Sequence, residues 1–411
     1  MNILKTADSS WAALLIFTQL IGIVFLSNTQ SVSAQLQTEF GQSLLEKEPK
    51  ETSETDPAEL TISSHFSNTY NNHIELGLSV DPYTSSLAGK DDPQLVGMIN
   101  RLGVDLYGDL PVTDKLRIKL QYAPQVENYT GAEGKLNEFD ALSDIFLTEL
   151  SFRPVASLPP FVASHRLQRF VRTSDVYNNT ERQIGLRFGR ILEYNLRVHR
   201  FDDDEALRED FLLIGSNSHN MTARMQFGLL EQMLGKLEYG IEHSSYETNL
   251  NNLILGITGL EDNERRMDWR HISSAKLIQV ATEHIMFQEE VNLFLNRSSA
   301  DFFNFVSTEV AASSFYRLDT GRWIRLRLSR LWLQFEGRQI LDETGFISEN
   351  APNRRDTQIG ANVQLNWQFN PYLTLNADYQ VTQNRTNEMD PLLDFLNYTH
   401  TIATVTLKGE Y

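Results

Sequence analysis

Residues 359–411 alternate between apolar and polar side chains through three consecutive segments. In the last segment one face would carry Ala403, Val405, Leu407, Gly409 and Tyr411, and the other would carry Ile402, Thr404, Thr406, Lys408 and Glu410. A period of two places each set on one side of a β-strand. The sequence therefore predicts antiparallel strands with one apolar and one polar face. A soluble sandwich shows the same alternation and is the alternative at this stage.

Residues 12–26 form an apolar stretch near the N-terminus, preceded by Lys5 and followed by small residues that end at Ala34. This order is typical of a secretory signal peptide. We interpret residues 1–34 as a signal peptide and expect an exported chain, with an uncleaved anchor as the alternative.

The links between the alternating segments are short and long in turn. Short links are expected at 110–114, 155–160, around Arg190, and at 230–235, 279–282, 318–321 and 370–372; long links are expected at 81–93, 127–143, 173–181, 202–210, 244–265, 296–304, 342–355 and 386–397. Outer-membrane barrels have short periplasmic turns and long external loops, whereas a sandwich has no reason to interleave the two. The sequence thus predicts an all-β fold, a single-chain antiparallel transmembrane β-barrel of about 16 strands, with 14 or 18 as alternatives.

We assign residues 61–411 to this barrel. Residues 35–60 are polar and acidic, and we interpret them as a flexible periplasmic lead-in, with a plug inserted in the lumen as the alternative. Aromatic residues near the strand ends suit the two interfacial girdles of a membrane barrel. The candidates are Tyr122, Phe152, Trp269, Phe315, Trp323, Trp367 and Phe369, with ordinary packing as the equal alternative for each residue taken singly.

Composition excludes several other functions. The chain has no cysteine, so it has neither a disulfide framework nor thiol chemistry. Its formal charge of -18 argues against a nucleic-acid partner. We find no nucleophile elbow, no zinc-protease motif and no phosphate loop, and the nine histidines are scattered. We therefore expect no catalytic residue, no cofactor and no metal site.

If the apolar face of each strand contacts lipid, the polar face lines the lumen and its charges can be read from the sequence. The expected pore-lining residues are Arg117, Lys119, Arg187, Arg197, Arg224, Arg325, Arg327 and Glu309. Two interpretations are open. The arginines either pair with inward acids such as Asp105, Glu149, Glu238 and Glu309, or stay partly unpaired and favour anions. Segments 161–172 and 328–335 break the alternation, so the sequence does not assign their faces.

The C-terminal region resembles the closing hairpin and last strand of Gram-negative outer-membrane β-barrel proteins. It has a short turn at Asn370 and Pro371, a polar loop and an aromatic final residue. The resemblance implies insertion into the outer membrane by the barrel-assembly machinery. In that class the machinery reads a terminal aromatic and the alternating apolar residues before it, here Tyr411, Leu407, Val405 and Ala403. Gly409 departs mildly from the pattern. Outer-membrane lipid and lipopolysaccharide are the implied neighbours.

The inward arginines are also similar, more loosely, to those of exopolysaccharide-export porins, including the alginate-export type. The fragments Gly189-Arg190 and Gly337-Arg338-Gln339 resemble a Gly-Arg-Gln strand motif of those porins, although the first lacks the glutamine.

These observations favour a channel, or porin, for the passive passage of solutes, with anionic solutes or an acidic exopolysaccharide as cargo. A non-conducting barrel that acts in structure or adhesion through its long loops is the first alternative. A barrel hydrolase is the second.

Overall fold

We describe a computed structural model of the chain. It describes residues 59–71, 97–131, 140–155, 158–172, 178–201, 215–246, 266–340, 351–387, 389 and 397–410. The expected signal peptide, the lead-in up to residue 58 and Tyr411 lie outside these residues. No helix among the described residues is long and apolar enough to cross a membrane.

The described residues form sixteen strands that close into one barrel. They are β1 (Glu59–Asn71), β2 (Gly97–Thr113), β3 (Leu116–Gly131), β4 (Ala141–Phe152), β5 (Phe161–Arg172), β6 (Asn179–Phe188), β7 (Leu192–Phe201), β8 (Ser216–Leu230), β9 (Met233–Tyr246), β10 (Met267–Val280), β11 (Ile285–Ser298), β12 (Phe305–Asp319), β13 (Arg322–Gln339), β14 (Asn353–Asn370), β15 (Leu373–Thr386) and β16 (Thr399–Glu410). The predicted fold class and strand number are confirmed. β1 begins at Glu59, so the strand includes the last two residues of the lead-in that we had assigned to 35–60.

Every strand pairs antiparallel with its neighbours in the chain, and β1 closes the barrel by pairing with β16. The closing register runs from Ser63 opposite Glu410 to Asn71 opposite Ile402. Closure leaves no strand edge, which matters because an unpaired backbone group in hydrocarbon costs several kcal/mol.

The alternation of side chains assigns the two sides of the wall. On β13, Leu326 and Leu328 point outward and are 50% and 66% exposed, while Arg325 and Arg327 alternate with them and point inward. Large apolar residues exposed in this way along most strands form a continuous apolar surface. Such a surface is stable against lipid and would aggregate in water. The same alternation on β16 puts Val405 and Leu407 outward, as the sequence predicts.

The two ends of the barrel differ in their connections. At one end lie the links 114–115, 153–160, 189–191, 231–232, 281–284, 320–321 and 371–372, together with the start of β1 and the end of β16. At the other end lie the links 72–96, 132–140, 173–178, 202–215, 247–266, 299–304, 340–352 and 387–398. We call these the periplasmic and external ends, in keeping with the loop rule for outer-membrane barrels. The alternation of lengths is not strict, because 153–160 is longer than 173–178 and 299–304.

Local hydrogen bonds fix the short turns. The Thr113 hydroxyl accepts bonds from the backbone N–H groups of Lys115 and Leu116 at 3.2 and 3.0 Å. The Thr282 hydroxyl does the same for the turn before β11. Polar side chains that bond to the backbone one or two residues on favour turns over continued strand. In the turn after β6, Gly189 has a φ of +54°, and a Cβ there would lie 2.6 Å from Cβ of Pro159, so only glycine fits.

The structure corrects three expectations about where particular residues lie. Phe315 is not a girdle residue: it points inward, is 3% exposed and packs with Ile278 and Met286. The ring of Trp323 lies 6.4 Å from that of Phe315 on the same inward side. The fragment Gly189-Arg190 lies in a turn and not on a strand.

The two segments that break the alternation are also resolved. In 328–335, Leu333 and Phe335 point inward and are each 1% exposed, packed with Phe305. In 161–172, Arg166 points inward, whereas Arg169 points outward.

The assignment of faces leads to a test with adjacent residues of β14. Val363 is 42% exposed on the outer face, and Asn362 faces the lumen, where it donates hydrogen bonds to Asp378. Val363→Arg should lower the free energy of unfolding by roughly 2–4 kcal/mol, the cost of a lipid-facing arginine at mid-depth. Asn362→Arg should be nearly neutral, because the new guanidinium meets Asp378 and water. Urea unfolding in phospholipid vesicles measures the free energy of unfolding of both variants. A similar loss of stability in the two variants would show that the inner and outer faces are wrongly assigned.

Candidate functional site: the lumen and its ion pairs

The inner wall between β7 and β10 is crossed by a chain of ion pairs. Arg224 on β8 donates to Glu193 on β7 at 2.5 Å and to Glu238 on β9 at 2.9 Å. Arg270 on β10 donates to Glu242 on β9 at 3.0 Å, and the guanidinium of Arg197 on β7 lies 3.7 Å from the same carboxylate. The Arg197 contact spans β8, so side chains tie together strands that are not neighbours.

A second group lies on β10 to β13. Arg327 donates to Glu290 and to Glu309, each at 2.9 Å. The side-chain amide of Asn292 donates to the same two carboxylates at 3.1 and 3.0 Å, and Lys276 lies 3.8 Å from Glu290. Arg327 and Lys276 together thus balance two acids that lie on two different strands.

A third group lies on β2 and β3, where Arg117 donates to Asp109 at 2.6 Å and the Lys119 ammonium lies 3.9 Å from the same carboxylate. Five of the seven predicted pore-lining cations are therefore ion-paired, and Glu309 is paired as well. The two predicted acids Glu238 and Glu309 are partners of arginine, as one interpretation expected. Asp105 instead lies 3.6 Å from His65, and no ion pair is found for Glu149 within the described strands.

Arg325 differs from its neighbour Arg327 two residues along the same face. Among the described residues, no carboxylate lies within 4.0 Å of it. Its guanidinium donates long hydrogen bonds to Gln364 (3.3 Å) and Ser313 (3.4 Å) and stands 5.1 Å from the ring centroid of Phe315. Its charge is therefore held in place by neutral groups and is not cancelled locally.

Arg187 is the other predicted cation for which the described residues supply no ion pair. It lines a recess of about 190 Å³ in the wall formed by β4 to β7, with Arg166, Glu149, Glu193 and Asn195 among its neighbours. A Cβ at Gly185 would lie 2.4 Å from Oγ of Ser164 and 2.8 Å from Oδ1 of Asn195, so a larger residue there would displace these two polar side chains. The recess therefore has arginines and acids in one polar wall, with Glu193 already engaged by Arg224.

Solvent reaches these side chains. Arg197 and Arg224 point inward, yet their side chains are 38% and 39% exposed. The inner wall formed by the described residues thus has partly exposed charged side chains on β7 and β8.

An aromatic cluster narrows the external part of the lumen, and sequence analysis did not find it. The link 299–304 folds against β11 and β13, with Phe303 2% exposed and its carbonyl bonded by Asn296. The guanidinium of Arg266 lies 3.6 Å from the ring centroid of Phe303. The guanidinium of Arg338 lies 3.9 Å from that of Phe302. The apolar residues of 328–335 were the available signal, because their inward face needs a cover of this kind.

The described residues contain no group of three or more histidine, aspartate or glutamate side chains placed to hold a metal ion.

The contrast between Arg327 and Arg325 gives a matched test of the pairing. Arg327→Gln should lower the free energy of unfolding by about 1–3 kcal/mol, because it removes the charged donor of two half-buried carboxylates. Arg325→Gln should cost less than about 1 kcal/mol, since it removes two long hydrogen bonds to neutral groups. Equilibrium urea unfolding in vesicles, followed by tryptophan fluorescence, measures the difference. Equal losses at both positions would mean that the ion pairs do not stabilise the wall.

No protein-family model matches the sequence, and no curated protein matches it. Similar solved structures include a bacterial polysaccharide outer membrane secretin, with a TM-score of 0.45 and 9% identity over 85% of this chain and 98% of that chain. They also include OprD of Pseudomonas aeruginosa, with a TM-score of 0.43 and 10% identity over 86% of this chain and 95% of that chain. OccAB4 of Acinetobacter baumannii is similar with a TM-score of 0.43 and 8% identity over 86% of this chain and 98% of that chain. Similarities at this level add nothing about cargo. The closed sixteen-strand wall with its apolar outer band is the architecture of a transmembrane β-barrel.

Proposed function

We propose that the chain is a passive outer-membrane channel whose lumen favours small anionic solutes. The observation that carries the proposal is the contrast within the inner wall. Most inward cations are neutralised by acids, whereas Arg325 and Arg187 have no carboxylate partner among the described residues. Charges left uncompensated in a hydrated pore set its selectivity.

The neutralised pairs would act as scaffold. An arginine bound to a carboxylate has its positive charge cancelled at a distance, so it gives an anion in the lumen little attraction. The arginine at 325 keeps its charge, and its Nε is buried without a hydrogen-bond partner. A carboxylate or phosphate that passes along β13 would find a cation to which no described carboxylate is directly bonded.

Small solutes fit this arrangement better than an acidic polysaccharide. A polyanion would need cations repeated along its path, whereas the inward arginines without an ion pair fall in two separate places, with Arg166 and Arg187 at the recess and Arg325 on β13. Acidic groups without an ion pair are also present in the lumen, namely Glu149 and Asp378. The attraction is thus local to two places on the wall, and it is not a continuous positive track.

Transport requires no bond chemistry in this proposal. Binding at each arginine must be weak enough for release, because conduction depends on both entry and exit. Hydrated, half-exposed side chains provide such weak binding, since screening by water reduces a contact at about 4 Å to roughly 1 kcal/mol.

The proposal predicts the effect of removing the uncompensated charges. Arg187→Gln with Arg325→Gln should lower the anion-over-cation permeability ratio by up to about fivefold per charge, as a contact of roughly 1 kcal/mol allows. The measurement is the reversal potential of the refolded mature chain in a planar bilayer under a salt gradient. The effect should shrink at 1 M salt, where the Debye length is about 3 Å.

The matched control removes one ion pair of the lumen and leaves the net charge unchanged. Arg327→Gln with Glu309→Gln removes one cation and one anion that bind each other, so the permeability ratio should stay at the wild-type value. A ratio that shifts equally in both double variants would reject selection by uncompensated arginines. A folded, heat-modifiable barrel without any conductance would reject the channel itself and favour the non-conducting alternative.

A further inference from the structure

The outer face of β5 to β7 has three arginines on adjacent strands, next to the apolar residues that face lipid. Arg169 on β5 and Arg182 on β6 are both exposed, and Arg200 lies on the same face of β7. Their facing follows from the alternation, because Arg166, Gln183 and Arg187 line the recess on the inner side. None of the three belongs to the lumen.

The strand register brings the three arginines into one patch. In the register of β5 with β6, Arg169 lies opposite Thr180. In the register of β6 with β7, Arg200 lies opposite the same Thr180. Arg182 lies two residues further along β6 on the same face. Adjacent strands are about 4.8 Å apart and diagonal neighbours about 7–8 Å, so the long side chains can converge on one ligand.

The patch lies at the external end of the wall. Thr180 is the second residue of β6, and Arg200 is the residue before the end of β7. Below it on β6, Ile184 and Leu186 are 51% and 56% exposed and form the apolar band. The arginines therefore stand at the upper border of the hydrocarbon, in the outer leaflet.

The protein leaves two of these cations without compensation. Among the described residues, neither Arg169 nor Arg182 has a hydrogen bond or an ion pair. Arg200 is held differently, since it donates to the carbonyl of His199 at 2.9 Å and to Asn217 at 3.1 Å. Asp144 on β4 faces Arg169 across the strands, yet the two do not come within 4.0 Å of each other.

Two other outward arginines have protein partners. The guanidinium of Arg330 lies 4.9 Å from the ring centroid of Trp332, and Arg297 is bonded to Glu336. An exposed arginine at the edge of hydrocarbon is costly unless an anion or water meets it. Asp144 faces Arg169 without forming an ion pair, and Arg182 has no ion pair within the described strands, so a phosphate of the neighbouring lipid is free to bind both guanidinium groups.

We propose that Arg169 and Arg182, with Arg200 at their side, bind phosphate groups of lipid A in the outer leaflet. Guanidinium groups bind phosphate through paired, charge-assisted hydrogen bonds. The phosphates of lipid A lie at the headgroup level, where these side chains reach by extending away from the apolar band. The site is independent of the channel proposal, because it lies on the opposite side of the wall.

The test measures retention of lipid A by the folded chain in detergent, using native mass spectrometry. Bisphosphorylated lipid A should bind the wild type, and dephosphorylated lipid A should bind much more weakly. Arg169→Gln with Arg182→Gln should weaken binding of the bisphosphorylated form by about tenfold or more, as loss of charge-assisted bonds implies. Arg330→Gln, which removes an outward arginine elsewhere, should leave binding unchanged.

A second variant, which should bind lipid A more tightly, controls for loss of binding through misfolding. Asp144→Asn removes the acid that faces the patch, so it should tighten binding of bisphosphorylated lipid A. Wild-type retention in the double variant, or equal binding of the dephosphorylated form, would overturn the proposal. So would inorganic phosphate that displaces lipid A at equal concentration, which indicates a free-phosphate site. A change of oligomeric mass in the double variant without loss of lipid would assign the patch to a contact between copies of the chain.

Discussion

The structure depends on one constraint, which is that every backbone N–H and C=O group in the membrane needs a hydrogen-bond partner within the protein. The sixteen strands meet this constraint by closing on themselves through the pairing of β1 with β16. Closure forces each strand to present alternate residues to lipid and to the lumen. The apolar band, the inner charges and the outward arginines are all consequences of where a residue falls in that period of two.

Within the lumen, the same geometry determines which charges cancel. Arg224 and Arg327 each reach acids on neighbouring strands or one strand beyond, and each binds two carboxylates. Arg325 shares the strand and the face of Arg327, but its nearest polar partners are neutral. A displacement of two residues along one strand thus separates a structural cation from one that can act on a solute.

The sequence predicted the strands that alternate cleanly and the residues that face inward, and β14 to β16 agree with it almost residue by residue. It did not assign 328–335, because Leu333 and Phe335 face inward under the Phe303 link, a contact between distant parts of the chain. It misjudged Phe315 for a related reason: an aromatic residue near a strand end can pack against inward neighbours as readily as form a girdle.

The sequence named candidate acids but could not predict which arginine pairs with which acid, since that depends on the register between strands. Register shifts occur beside the short turns, for example between Arg317 and Asp319 and between Gly228 and Leu230. A shift of one residue would move each acid to the opposite face. Glu290 shows the difficulty, because Glu289 precedes it and the sequence alone does not say which of the two faces Arg327. The sequence also did not predict that Arg169 and Arg182 face outward. Arg169 lies within segment 161–172, whose faces the sequence does not assign.

The proposed function requires that the lumen be an open, hydrated passage bounded by the inner faces of these strands. The chain has no cysteine, so single cysteines can be introduced and modified inside a conducting barrel. The most direct measurement is the single-channel current of Asn362→Cys and Val363→Cys in a planar bilayer, before and after a charged, membrane-impermeant thiol reagent. The account predicts a stepwise fall in current for Asn362→Cys and none for Val363→Cys. A folded barrel that carries no current, or equal responses at both positions, would contradict it.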